Sequence, residues 1–193
     1  MDESELLSKA QSGDRAAFGH LVRAHQGRLA ACATKMVGSD DVEDAVQETF
    51  IRAWRALARF DGRAKLSTWL YRICVNVCLN RIRSRKGKKH TDIDDPNSRS
   101  QAADPSQGST DPGRALELTE LQRRLQGSLG KLSPSLRSAV VLVLIEGLPH
   151  KEAGEILGVP EGTVAWRIHE ARRRLREDLQ DLARPRLQQV GNA

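Results

Sequence analysis

Apolar positions recur at helical spacing along most of the chain, and the alternation that a half-buried strand would show is scarce. After Asp14, a natural N-cap, Phe18, Leu21, Val22, His25, Leu29, Cys32 and Met36 fall at helical intervals, and Gly38 ends the run. Asp40 and, three residues on, Glu43 resemble a capping box for the next helix. In that helix, reaching to about Leu57, the residues Val42, Val46, Phe50, Ala53 and Leu57 form the stripe that needs a core. The turn-rich FDGRAKLS breaks the chain, and a further helix carries Leu66, Leu70, Ile73 and Val77 inward.

Periodicity stops at about Thr91. TDIDDPNSRSQAADPSQGSTDPG, residues 91–113, is rich in Asp, Ser, Pro and Gly and reads as a flexible acidic linker between lobes at 1–90 and 114–193. At ~5–6 Å × √n it would separate them by roughly 25–30 Å. In the second lobe, Ser133–Pro134 is a good N-cap and first-position pair. The run AVVLVLI suits a buried strand by itself, but its place inside a capped segment ending at Gly147 favours a buried helix. The fold class expected is all-α, as two small helical domains, the second a helix-turn-helix.

That motif is read from HKEAGEILGVPEGTVAWRIHEARRRLRE. His150 to Leu157 is the short first helix, Gly154 lets two helices approach, and Gly158 suits the turn above Val159. Val164, Ile168, Ala171 and Leu175 form the inner stripe of the second helix. Thr163, Trp166, Arg167, Glu170, Arg173 and Arg174 are left facing outward. Residues near the start of such a helix read base edges, and the basic run that includes Arg172 and Arg176 meets phosphates.

Charge adds a second candidate surface. The chain has 193 residues and a net charge of +6, and between Arg59 and Lys89 ten Lys or Arg residues face one acidic residue, Asp61. Lys65, Arg72, Asn76 and Arg83 share one side of their helix, bordered by Thr68 and Trp69. With Tyr71 nearby, that chemistry suits unstacked single-stranded bases better than duplex phosphates alone. RIRSRKGKK, residues 81 to 89, reads either as a phosphate clamp or as a disordered basic run.

Other classes fall away. No apolar run approaches the ~18 residues of a membrane span, and MDESELLSKA is acidic and lacks a signal core, so a cytoplasmic protein without membrane insertion is expected. Cys32, Cys74 and Cys78 make an odd set without a paired CxxC, and adding His90 gives too few ligands at too loose a spacing for zinc. No nucleophile–base pair or phosphate-binding Gly loop is visible. Neither an enzyme, a metal nor a cofactor is expected.

One feature of DAVQETFIRAW remains. Opposite the core stripe, Ile51 stands among Asp44, Gln47, Glu48 and Arg55. It is either a docking surface or a surface ladder in which Glu48 pairs with Arg52 and Ile51 faces another helix.

DAVQETFIRAW, then KLSTWLYRICVNVCLNRIR, a linker, and the helix-turn-helix together resemble bacterial RNA polymerase sigma factors of the extracytoplasmic-function class, over nearly the whole chain. The resemblance implies a dissociable subunit that binds core RNA polymerase and directs initiation at promoter DNA, and an anti-sigma factor as inhibitor is usual in the family. Asp44, Gln47, Glu48, Ile51 and Arg55 would dock on the clamp helices of the polymerase largest subunit. Lys65, Ser67, Thr68, Trp69, Arg72, Asn76, Asn80 and Arg83 match the face that takes the melted minus-ten element. The helix-turn-helix would read the minus-thirty-five element, and the linker would thread toward the polymerase active site. Trp166 departs from the small or hydroxyl residue common in the family, leaving open contact with a thymine methyl, contact with a sugar, or packing within the chain. Pro149 and His150 also depart. The alternatives are a stand-alone helix-turn-helix regulator and a thiol or metal sensor.

Overall fold

The computed structural model describes residues 2–88 and 123–183. The linker of residues 91–113, His90 and the tail RPRLQQVGNA lie outside them. Among the described residues the regular structure is helical, with no strand, and the chain divides into two compact units between Gln101 and Ala102.

The first unit holds α1 (Glu3–Gln11), α2 (Arg15–Val37), α3 (Val42–Ala56) and α4 (Leu66–Lys88). Asp14 caps α2 as expected, its carboxylate accepting from the Ala16 and Ala17 amides at 2.8 and 3.1 Å. Gly38 closes α2 at φ +91°, a backbone state that costs glycine little. The expected capping box at Asp40 does not form. Ser39–Asp41 make one 3₁₀ turn, and no side chain caps α3. Asp41 is instead drawn to Arg85 of α4 at 2.6 Å, and Asp40 accepts from the Ser39 hydroxyl.

The core lies among α2, α3 and α4. Leu21, Leu29, Cys32 and Met36 are buried as expected. On α3 the buried line runs through Ala45, Thr49, Phe50 and Ala53 and on to Leu57 in the 3₁₀ turn that follows, whereas Val42 and Val46 are half-exposed. The sequence stripe is thus rotated toward small residues, which fits a helix flanked by both α2 and α4. Thr49 is tolerated there because its hydroxyl donates to the Ala45 carbonyl at 2.7 Å. Phe18 closes one edge against Phe50 and Trp54, with ring centroids 6.4 and 4.9 Å away. On α4, Leu66, Leu70 and Val77 are buried, Ile73 is half-exposed, and Tyr71, Val75 and the two cysteines widen the buried side.

The second unit holds α5 (residues 123–131), α6 (Pro134–Val140), α7 (His150–Leu157) and α8 (Glu161–Ala183). Ser133 caps α6 and Pro134 opens it, as their order suggested. The AVVLVLI run is helical, but Val141–Ile145 widens into a π turn. Only its first part is buried, and Leu144 and Ile145 are 40% and 38% exposed. Asp178 of α8 ties back to α5, accepting from the Ser128 hydroxyl at 2.7 Å and pairing with Lys131.

The Lys131 and Ser128 donors hold the Asp178 carboxyl below the usual carboxylate range. A carboxyl depressed on folding stabilises fully above its unfolded value and loses that contribution as pH falls through the folded one. Acid should therefore loosen the α5–α8 tie below about pH 4. Asp178→Asn should lower neutral-pH stability while flattening this part of the acid limb, read from α5 and α8 amide signals across a pH titration. An unchanged acid limb would contradict the assignment.

Candidate functional site

Three surfaces carry the residues singled out in the sequence. On α3, Asp44, Gln47, Ile51 and Arg55 are exposed, and Glu48 is half-buried. Ile51 is 44% exposed, and among the described residues of this unit no other large apolar side chain is so open. The ladder that the sequence offered as an alternative is also present. Arg52 Nη2 lies 2.5 Å from Glu48 Oε1.

Sequence reading missed the partner from the next helix. Arg81 of α4 reaches Glu48 at 3.2 Å and Asp44 at 3.7 Å. Arg85, one turn on, pairs with Asp41 and also donates to the Val37 carbonyl at 3.4 Å. Asp41, Glu48, Arg52, Arg81 and Arg85, with Asn80 and Ser84, line an open groove of about 420 Å³ between α3 and α4. Glu48 is therefore shared between two guanidiniums, while Asp44 keeps 70% of its side chain exposed.

On the basic helix, Lys65, Arg72, Asn76, Asn80 and Arg83 are exposed, and Arg83 donates to the Asn80 amide oxygen at 3.2 Å. Ser67 and Trp69 are half-buried, with the Trp69 ring 5.0 Å from Phe60. Thr68 is turned inward at 6% exposure. Tyr71, at 5%, is also inside, so the stacking role expected of it is corrected: its ring is spent on the core. Residues 68, 71 and 75 form a second inward line on α4, which helical spacing alone does not distinguish from a polar border.

In the second unit, α7 and α8 form the expected corner. Gly158 adopts φ +65°, and the Val159 amide donates to the Gly154 carbonyl at 3.0 Å. A Cβ on Gly154 would stand 2.8 Å from the Val159 carbonyl oxygen, so the close approach inferred from sequence is literal. On α8, Val164, Ile168 and Ala171 are buried as expected, whereas Leu175 is half-exposed. Trp166 is 63% exposed, which removes packing within the unit from its possible roles. Thr163 and Arg167 are half-exposed, and Arg173 and Arg174 are exposed. Glu170 accepts from Arg173 at 2.8 Å and from Arg174 at 2.7 Å, and Arg173 also reaches Glu177 at 2.7 Å. The Arg173 and then the Arg174 hydrogen bonds hold the Glu170 carboxyl down at about 2. It is an anion at any physiological pH.

Cys32, Cys74 and Cys78 are all buried. The hydrogen bond with Cys74 and then burial push the Cys78 thiol up. Among the described residues no cluster of three His, Cys, Asp or Glu side chains could hold a metal, and no helix is long and apolar enough to cross a membrane.

Residues 21–88 match the family model of Sigma-70 region 2, and residues 122–175 match that of Sigma-70 region 4. The chain is 32% identical over 185 residues to the ECF RNA polymerase sigma-E factor of Haemophilus influenzae, covering 94% of this chain and 97% of that protein. It is 36% identical over 180 residues to the ECF RNA polymerase sigma factor SigW of Bacillus subtilis, covering 91% and 96%. Among solved structures, CnrH in complex with the cytosolic domain of CnrY is similar at a TM-score of 0.66 and 32% identity, over 91% of this chain and 96% of that one. The sigma factor RpoE bound to the anti-sigma factor NepR, from Bartonella quintana, gives 0.66 at 27% identity, over 84% and 96%.

Proposed function

The chain belongs to the extracytoplasmic-function sigma factors of the sigma-70 family, and from that premise we propose a division of labour among its three surfaces. It is a sigma subunit that binds core RNA polymerase, directs initiation at promoters and is subject to an anti-sigma factor. Sigma factors are initiation factors, and in our reading this one performs no chemistry of its own and works in the cytoplasm, where the polymerase is. Residues 1–90 and 114–193 act as its region 2 and region 4 lobes, with 91–113 as the linker.

The α3 face docks on the clamp helices of the polymerase largest subunit. Asp44 and Gln47 meet basic and polar groups, Ile51 supplies the apolar anchor, and Glu48 and Arg55 complete the rim. An exposed isoleucine ringed by charge is what carries this assignment, because a solvated face has no use for it. Lys65, Arg72, Asn76, Asn80 and Arg83 form the open part of the minus-ten face, with Ser67 and Trp69 at its border. Thr68 acts from beneath by fixing the helix. Reading of the minus-thirty-five element falls to Thr163, Trp166 and Arg167, while Glu170 orients Arg173 and Arg174 toward the backbone.

Transcription by purified core polymerase on fragments of the source genome tests this. The chain should yield initiation at a small set of defined sites. Starts that are the same with and without it would overturn the reading, and tight duplex binding without polymerase would favour a stand-alone regulator.

Within the recognition helix, Arg167→Ala should change base preference at the upstream element and cost about 1–3 kcal/mol against the preferred sequence. Trp166→Ala should lower affinity with little change in its salt dependence, since the ring carries no charge. Binding to a panel of single-base promoter variants at two salt concentrations separates the two. A uniform loss across all bases for Arg167→Ala would place that residue on phosphate instead.

A further inference from the structure

The α3–α4 groove couples two surfaces that the proposed function uses separately. One wall is the docking helix, with Glu48 and Arg52, and Asp44 stands outside it within 3.7 Å of Arg81. The other is the basic helix, where Arg81 adjoins Asn80 of the minus-ten face. Arg81 is held by its two terminal nitrogens only, while its Nε is buried without a hydrogen-bond acceptor. One of the contacts is long, at 3.7 Å. Arg85 differs, because it bonds a backbone carbonyl of α2 in addition to its carboxylate and so stays with the scaffold.

We propose that Arg81 is a promoter-phosphate contact held in reserve by Asp44 and Glu48, and released when a basic partner surface takes those carboxylates. In the free chain the guanidinium satisfies the docking face and is withheld from nucleic acid. When the carboxylates find cations on the partner, Arg81 loses its acceptors while keeping its charge. A phosphate beside Asn80 then becomes the available anion. The Asp44 arm is long and its carboxylate mostly exposed, and exposed pairs are weak, so that arm exchanges with little driving force. Its consequence is directional: the residues that strengthen polymerase docking weaken DNA binding in the polymerase-free chain. This inference rests on the assignment of α3 to docking and α4 to DNA.

The test uses the full chain without polymerase and a labelled mixed-sequence single-stranded oligodeoxynucleotide, with affinity measured over a salt series. Asp44→Asn/Glu48→Gln should bind about 3- to 10-fold tighter than the natural chain. Its log–log salt slope should be steeper by about 0.7, the increment for one added phosphate contact on a single strand. Adding Arg81→Ala should abolish the gain in both affinity and slope. A charge-matched control, Glu5→Gln/Glu43→Gln, should gain much less, which separates a released arginine from a change in net charge. Thermal melts confirm that each variant is folded. Equal binding by all variants, a gain that survives Arg81→Ala, or an equal gain in the control overturns the exchange while leaving the α4 assignment standing. Absence of binding by every variant overturns that assignment and the exchange with it.

Discussion

Asp44→Lys and Ile51→Asp should each weaken association with core RNA polymerase by about 30-fold or more, corresponding to ~2 kcal/mol or above. Both side chains are open in the first unit, so neither substitution should cost much stability. Ile51→Asp removes the apolar anchor and sets a carboxylate against the surface that the anchor desolvates. Asp44→Lys replaces attraction with repulsion toward a basic partner.

Glu48 is a less clean probe, although the sequence marks it equally. Its carboxylate bridges Arg52 and Arg81, so a reversal there would disturb the α3–α4 contact as well as the docking surface. Titrating core polymerase against labelled variants, with melting temperature as the control for folding, decides the matter. Unchanged affinity for both variants would mean that α3 faces solvent in the holoenzyme and that docking lies elsewhere.

The second large effect is expected at Gly154. A methyl group there meets the Val159 carbonyl oxygen at 2.8 Å, and the Glu161 amide nitrogen is 3.6 Å away. These are backbone atoms and cannot swing aside as a flexible side chain would. The Val159 amide is moreover bonded to the Gly154 carbonyl, which pins the turn. Gly154→Ala should therefore destabilise the second unit by about 1–3 kcal/mol, and Gly154→Val by more.

Recognition of the upstream promoter element should fail in parallel, since the turn sets the angle at which α8 meets the groove. Gly162→Ala is the internal comparison. Nothing lies within 4 Å of its added Cβ and it sits in a helix, so stability should rise by about 0.5–1 kcal/mol. Chemical denaturation followed at the α7 and α8 amides measures both. Equal stability of Gly154→Ala and the natural chain would remove steric approach as the reason for glycine.

Several features were legible from residue order alone because they depend on local chemistry. The Asp14 cap, the Ser133–Pro134 start, the Gly38 and Gly158 stops and the short helix His150–Leu157 each arise within one turn of chain. The two-lobed helical plan follows from apolar spacing, and the inner stripe of α8 was read correctly through Val164, Ile168 and Ala171, though not at half-exposed Leu175. Exposed Ile51 was also visible, as an apolar residue out of phase with its helix.

What needed the tertiary structure is whatever depends on how two helices cross. Phe50, Ala53 and Leu57 of the α3 stripe lie inside as expected, but Ala45 and Thr49 take the places of Val42 and Val46 because burial there is decided by α2 and α4 together, not by the period of α3 alone. Tyr71 and Thr68 went inward for the same reason. The Asp40 capping box gave way to a 3₁₀ turn in which Asp41 pairs with Arg85, and Arg81 found Asp44 and Glu48, through contacts that span more than thirty positions of sequence. Charges written along a chain state which pairs are possible. Only the packing of the helices brings particular atoms within the few ångströms over which such a pair forms.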